Sequence, residues 1–499
     1  ALIAVVLSLA VLMIVAAVVW RNRTPPAVEA ESGAAVVSHP SIAVLPFVDM
    51  SEEQDEEHFA EGLSEEILNT LAHADNLRVT ARTSSFSFRS ENVDIRTIAQ
   101  RLDVSHVLEG SVRKAGNRLR ITAQLIDAST SAHVWSDTFD RDMHDIFGVQ
   151  REIASAVADA LRVKLARAAP RRAETTSAEA YEHYLQGRLL FNRRSGTDLL
   201  QAKTHFEQAT QLDPDYARAW AGLAGVYFVT RYEKIELPNA MQKWGEAAQR
   251  AVALAPELAE ARVRAGQYYL HVGKFDLAKT QFARALELDP EDPLVLGIAL
   301  SDAIYEGRIT DAIATQRRMI AIDPLSAANR GNLGALLMML GQLPEAQAAF
   351  ESALELSPAG TSMLTSLADV LILQGRPDDT VQLIAKIPEG YLHDEHVALM
   401  RYASGDARGG DEMLARLRSL AVEPGADPAI SMAVAEVYAY RNDVDHAFEW
   451  LEKARPPTKN PLEPMPAWVM HENLQVTAYF KPLHADPRWG KLLAALDDG

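Results

Sequence analysis

Four glycines, Gly273, Gly307, Gly341 and Gly375, recur every 34 residues, and four prolines, Pro256, Pro290, Pro324 and Pro358, keep the same period. A fixed period of this length means one supersecondary unit stacked on copies of itself, because a lone unit cannot bury its own apolar face. This restricts the second half of the chain to a solenoid of helix pairs. Such arrays commonly bind other proteins and rarely carry chemistry.

The residues between the punctuation marks say why each unit closes. From Ala259 to Pro290 the pattern residues are Gly266, Tyr269, Gly273, Ala278, Phe282, Ala285 and Pro290. Gly266 and Ala278 are small where two helices cross. Gly273 turns the chain between them because glycine accepts positive φ. Phe282 and Tyr269 fill the space between helices, and Pro290 follows the point where the second helix must stop. Ala327 to Pro358 repeats the pattern with Gly334, Gly341, Ala346, Phe350 and Ala353, while the unit ending at Pro324 puts Gln316 and Met319 at packing positions. Upstream, Trp220, Leu223, Ala224 and Tyr227 open another unit, and Ala202, Phe206 and Ala209 belong to an earlier one. The step from Pro214 to Pro256 is 42 residues, which places a longer turn near residues 231–238. Downstream the pattern weakens around Gly409 and returns at Ala447, Leu451 and Ala454.

On these residues the chain resembles the tetratricopeptide repeat family over roughly residues 178–456, and the superhelix is expected to run over 178–492. The resemblance implies a right-handed superhelix whose concave face, lined by the first helices, holds a protein or peptide partner. Gln267, His271, Asn332 and Met338 are candidates for lining that groove. Asn332 alone does not make a clamp for a peptide carboxylate.

The net charge of −19 argues against a nucleic-acid binder, which needs a basic face. No cysteine is present, which excludes disulfides and cysteine–zinc sites. Residues 1–20 are apolar except for Ser8 and end in Trp20, with Arg21 and Arg23 after it. Twenty helical residues span about 30 Å, so a transmembrane helix over 1–20 is expected, followed by a flexible linker over 21–40. The chain begins with Ala rather than Met, so the reading leaves open what precedes Ala1.

Between linker and repeats, alternation and turn residues predict the order βαβαβββα: an apolar strand at Ser41–Phe47, a helix at Glu56–Ala74, a strand at Leu77–Ala81, a helix at Ile95–Leu102, strands at His106–Val112, Arg118–Ile126 and Ala132–Thr138, and a closing helix at Asp145–Leu165. That is an α/β sandwich over 41–168, joined to the array by a linker at 169–177. SIAVLPF, FAEGLSEEI, VTARTSSFSF, VLEGSVRKAGNRLRITAQLIDA and HVWSDTFDRD together resemble the TolB amino-terminal-like domain, with the FlgO-type domain more distant. The tail from Pro482 to Gly490 also looks like the ending of that architecture. The resemblance implies a single-pass protein of the bacterial inner membrane with its bulk in the periplasm. It also implies that a class III nucleotide cyclase or a winged-helix regulator often stands upstream.

Few residues stand in the spacing of a chemical motif. Gly266…Gly273-Lys274-Phe275 has the wrong glycine spacing for a phosphate loop and lacks its Ser or Thr. His393-Asp-Glu-His396 is not a metalloprotease spacing and reads as a solvated loop. Eight carboxylates between Glu52 and Glu66 read as acids favoured at a helix start, and they lack the spacing of a Ca²⁺ loop. Arg113, Lys114, Arg118 and Arg120 make a basic hairpin end, read as solvated, with an anionic ligand or lipid head groups as the alternative. Trp135 reads as a packed aromatic. No catalytic, cofactor-binding or metal-ligating residue is assigned. The expectation is a membrane-anchored, non-enzymatic scaffold or sensor that binds a protein through its array, with a homodimer through the anchor compatible. The alternative is the extracytoplasmic regulatory portion of a larger signalling protein whose upstream module is a cyclase or a winged helix.

Overall fold

The computed structural model describes residues 40–52, 56–89, 93–116, 118–165, 175–193, 195–233, 235–454 and 478–497. From Ala178 onward the chain is a run of antiparallel helix pairs. The first four units are Ala178–Arg193 with Gly196–Leu212, Ala217–Tyr232 with Ala240–Leu254, Ala259–His271 with Phe275–Leu288, and Pro293–Tyr305 with Ile309–Ile322. Units 5 to 8 are Ala327–Met339 with Leu343–Leu356, Thr361–Leu373 with a short second helix at Val381–Ile384, Tyr391–Ala403 with Ala407–Ala421, and Pro428–Tyr440 with Val444–Ala454. A 3₁₀ turn, Ala478–Leu483, and a last helix, Pro487–Asp497, follow.

Local chemistry sets these boundaries. Gly273 sits at φ +72°, where a side chain would be strained, and its 34-residue relatives sit at +70° to +74°. The unit-4 first helix opens on Asp292, whose carboxylate accepts from the N–H groups of Leu294 and Val295, with Pro293 at the first helical position. Within a unit the helices cross closely: a Cβ on Gly266 would lie 2.3 Å from the Phe282 ring, and one on Gly334 2.9 Å from Phe350. Phe206, fully buried, is gripped between Gly187 of unit 1 and Gly222 of unit 2. Gln316 stands where an aromatic packs in other units; it is buried and donates to the Asn329 carbonyl of the next unit at 3.0 Å. The long step between Pro214 and Pro256 is taken up partly by a longer first helix, which runs on to Tyr232, and partly by the connection that follows. First helices of neighbouring units pack on one another more closely than second helices do, so the first helices form the inner layer.

The α/β domain has a mixed sheet in the order β4-β1-β5-β6-β7. Its strands are β1 (Ser41–Val44), β2 (Val48–Asp49), β3 (Ala74–Asp75), β4 (Arg78–Val79), β5 (His106–Ala115), β6 (Arg118–Asp127), β7 (Ala132–Asp142) and β8 (Lys164–Leu165). β1 pairs parallel with β4 and β5, and β5, β6 and β7 form an antiparallel meander. Pro46, which has no N–H to give, lies where the apolar run Ser41–Phe47 breaks into β1 and β2, both paired with β5. Helices α1 (Glu57–Ala72) and α3 (Ile146–Ala160) cover one face through Phe59, Leu63, Ile67, Val149 and Ile153. Helix α2 (Ile95–Leu102) covers Ala43 and Val107 on the other face, capped by Asp94. The open part of that face is polar, with Arg120 paired to Asp140 at 2.8 Å.

The fold class expected from the sequence included a transmembrane helix, and the localisation rested on it. Among the described residues no helix is long and apolar enough to cross a membrane. The longest, Gly196–Leu212, has 17 residues, about 25 Å against a hydrocarbon core of about 30 Å, and it carries Asp198, Lys203, His205 and Glu207. Among the described residues the architecture is an α/β domain followed by a helical solenoid, and the inner-membrane, periplasmic assignment is withdrawn. The expected span at 1–20 and linker at 21–39 lie outside the described residues.

Candidate partner-binding face

The α/β domain is seated on the array itself. Helix α1 packs on the first helix of unit 1, close enough that a Cβ on Gly62 would lie 2.7 Å from Leu185. Around that apolar centre lies a layer of ions. Glu65 pairs with Arg188 of unit 1 and with Arg82 of its own domain at 2.9 Å, and Asn192 reaches its second oxygen. Glu66 pairs with Arg218 of unit 2 at 2.9 Å. Glu61 pairs with Arg89 and lies 3.7 Å from Arg82. Lys114 bridges Glu56 and Glu182, and Gln150 donates to the Tyr181 hydroxyl. Further along, the Ala81 N–H donates to the Ile322 carbonyl at 2.7 Å, and the Ser84 hydroxyl meets Asp323 and the Leu325 N–H. The domain thus touches the array from unit 1 to the turn before unit 5.

Glu61 and Glu65 are buried, Arg188 and Arg218 half-buried. Burial pushes the Glu65 carboxyl up, but Arg188 and Arg82 beside it outweigh burial and hold it below the usual carboxylate value. At neutral pH Glu65 is therefore ionised and paired.

A second polar cluster lies on the first helices of units 6, 7 and 8. Asp369 accepts from the Tyr479 hydroxyl at 2.8 Å and lies 3.1 Å from His396 Nε2. Glu395 shares a hydrogen bond with Glu436. Tyr479 belongs to the 3₁₀ turn Ala478–Leu483, which packs Phe480 and Leu483 into the core of the last units. Burial raises both glutamates; His396 and the hydrogen bond with Glu436 pull Glu395 partway back, to about 7, while Glu395 and Asp369 push Glu436 further up, so the pair holds a proton. Burial disfavours charge on His396, and Asp369 more than reverses this, moving it up to about 9.

The groove candidates divide. Gln267 and His271 are buried: Arg264 donates to the Gln267 side chain at 3.3 Å, and the His271 ring packs on Phe228 and Trp244. Met338 is half-buried against the core of unit 5, and Asn332 is exposed. The stretch His393–His396 is on a helix rather than in a solvated loop, with Asp394, Glu395 and His396 buried. Trp135 packs 6.3 Å from Phe139. At the basic hairpin end Arg113, Arg118 and Arg120 are exposed, Arg120 pairing with Asp140 and Arg113 donating to the Met50 carbonyl, while Lys114 joins the interface. Arg188 and Arg218 were not singled out from the sequence. One signal for them was present: Glu61, Glu65 and Glu66 lie beyond the first helical turn, where the dipole no longer accounts for acids.

Comparison with known proteins agrees with the repeats. Residues 259–292 and 332–389 match models of the tetratricopeptide repeat. Residues 38–156 match the model described as HilA/YgeH-like transcriptional regulator, second domain, where the sequence resemblance pointed to the TolB amino-terminal-like domain. The protein named "Putative adenylate cyclase 3" of Rhizobium meliloti (strain 1021) is 37% identical over 238 residues, covering 46% of this chain. Among solved structures, a human IFIT1 dimer with m7Gppp-AAAA aligns at TM-score 0.38 and 16% identity, over 62% of this chain and 76% of that one. A tetratricopeptide repeat protein from Parabacteroides merdae ATCC 43184 aligns at TM-score 0.35 and 13% identity, over 52% and 98%. The chain carries tetratricopeptide repeats behind a domain similar to the second domain of HilA/YgeH-like regulators, and its match spans 40% of the length of the curated relative.

Proposed function

We propose that this chain is a non-enzymatic protein-interaction scaffold with a regulatory role, and that its repeat array takes a protein partner on the inner layer of first helices. The observation that carries this reading is that the array already grips a protein element there: the first helices of units 1 and 2 hold α1 through Leu185, Arg188 and Arg218. Asn332 lies on the same layer and is exposed, so it is a candidate contact. The test is a photo-crosslinking side chain at position 332 of the full chain, irradiated in cells. Capture of one discrete protein supports the reading; capture of nothing above a second-helix control at Glu287 overturns it.

A second reading is favoured by the relative named for an adenylate cyclase and by the HilA/YgeH-like match. In it the chain is the regulatory portion of a larger signalling protein, acting on a cyclase or a transcription-regulating module. Nucleotide-cyclase activity that changes when the captured partner is added to the whole protein supports it; activity indifferent to the partner counts against it.

A further inference from the structure

Strand β7 closes one side of the sheet, and among the described residues no strand pairs with its outer edge. It runs eleven residues, and Phe139 is its one buried residue. An unpaired edge of that length is a template for another strand unless something guards it. Two of its own side chains do so. The Thr138 N–H donates to the Asp137 carboxylate at 2.7 Å, and the Asp140 carbonyl accepts from Arg141 Nη1 at 3.0 Å. Both main-chain groups therefore face away from β6. Alternation along the strand then puts the N–H and C=O groups of Thr138 and Asp140 on the outer edge, and those of Asp137, Phe139 and Arg141 on the β6 side.

The two guarded groups are the donor and the acceptor of one antiparallel register. When a second β7 lies against the first with a two-fold axis beside Phe139, Thr138 of each copy stands opposite Asp140 of the other. The Thr138 N–H then meets the Asp140 carbonyl of the second copy. The side chains this releases, Asp137 and Arg141, stand opposite each other at a non-hydrogen-bonded pair, where side chains are closest, and they do so twice. Neighbouring registers do worse. An axis beside Asp137 or Asp140 sets that acid against its own copy, and an axis beside Thr138 sets Asp137 against Phe139. The other charges keep their partners: Asp140 holds Arg120 at 2.8 Å, and Arg141 Nη2 holds Glu152 of α3 at 3.0 Å.

We propose that the outer edge of β7 is a homodimer interface, on which a second copy of this chain adds its own β7 antiparallel about an axis at Phe139, with Asp137 of each copy paired to Arg141 of the other. The same two side chains cover the edge in the monomer, so association is an exchange of their partners and is reversible. A two-fold contact of this kind closes on itself and does not propagate. It uses neither α1 nor any residue of the array, so it stands apart from the recruiting reading.

Sedimentation velocity of the full chain over a rising concentration series tests this. The wild type is expected to pass from monomer to dimer. Asp137→Arg sets arginine opposite arginine twice, and Arg141→Asp sets aspartate opposite aspartate twice, so each weakens association about tenfold or more. The double variant D137R/R141D restores both ion pairs and with them the dimer. A wild type that stays monomeric, a dimer indifferent to both single reversals, or a folded double variant that fails to regain it overturns the proposal. Should the variants fail to fold, a spin label decides in the otherwise wild-type chain, which has no cysteine of its own. A label on cysteine at exposed position 138 lies beside the axis and is expected to show dipolar broadening on dimerisation. One at exposed position 132 is about 45 Å from its copy and is expected to show none. Broadening at neither position, or at both alike, overturns the proposal.

Discussion

Two regions of the inner layer bury charge, and they do so in opposite ways. At units 1 and 2 every acid of α1 that faces the array meets a base, and Glu65 is held ionised by Arg188 and Arg82. At units 6 to 8 acids outnumber bases: Asp369, Glu395 and Glu436 gather about His396 and Tyr479, and the glutamates keep a proton. The first region joins two domains and the second fastens the chain's own last segment to the array. The difference shows that buried charge is tolerated either by pairing or by protonation, and that each solution has its own pH weakness.

The sharpest way to break the comparison is to remove a base from the paired region. Arg188→Ala leaves Glu65 buried with a reduced counter-charge and is expected to cost about 3–5 kcal/mol, read from urea unfolding. A loss under about 1 kcal/mol shows the layer to be solvated and the contrast unfounded. Next comes shape: Gly62→Val pushes branched methyls into Leu185 and should cost about 1–3 kcal/mol, with the loss confined to the joint between domain and array. In the second region Tyr479→Phe removes the donor to Asp369, costing about 1.5–3 kcal/mol and loosening the last helix, as limited proteolysis would reveal. No change in cleavage there would mean the segment is fastened by Phe480 and Leu483 alone.

The pH responses oppose one another. Glu65 has a folded value below its ordinary 4.5, so its contribution is full above that pH and fades as pH falls through the folded value. His396 has a folded value of about 9 against 6.5, so its contribution is full below 6.5 and is lost as pH rises through 9. The raised glutamates act in the same sense, favouring the fold at low pH and losing that advantage as pH rises above 4.5. Half-exposed His73, paired at 3.1 Å with Asp289 at the end of unit 3 and raised by it, adds a small alkaline sensitivity where the end of α1 meets unit 3. Hydrogen exchange is therefore expected to show the α1 joint opening first in acid and the last units opening first in mild base. Glu436→Gln should remove part of the second effect while keeping a hydrogen bond to Glu395, gaining about 1 kcal/mol near pH 8. The smallest effect is at the exposed position: Asn332→Ala should leave stability within about 0.5 kcal/mol.

Much of this fold is legible because its causes are local. The period carried by Gly273, Gly307, Gly341 and Gly375 is a backbone requirement repeated at each turn, and the alternation in Arg118–Ile126 marks a strand with one wet face. The pairing in the ionic layer is illegible because Arg188 and Glu65 stand 123 residues apart: the acids past the first turn of α1 hint at a basic partner, and nothing in the sequence says which one. The burial of His271 is illegible for a related reason. A polar residue on a first helix looks solvent-facing until the neighbouring unit brings Trp244 and Phe228 against it.

That helices pair and stack from Ala178 onward follows from local residues alone, because glycine, proline and small residues at a fixed spacing leave helix pairs few other ways to pack. What the array's inner layer holds depends instead on how distant segments meet in space. Two surfaces that are each merely charged in the sequence, the acids of α1 and the arginines of units 1 and 2, are complementary once superhelical stacking sets the arginines at the spacing of a helix. Coulomb attraction and desolvation depend on distance and burial in space, and a sequence lists neither.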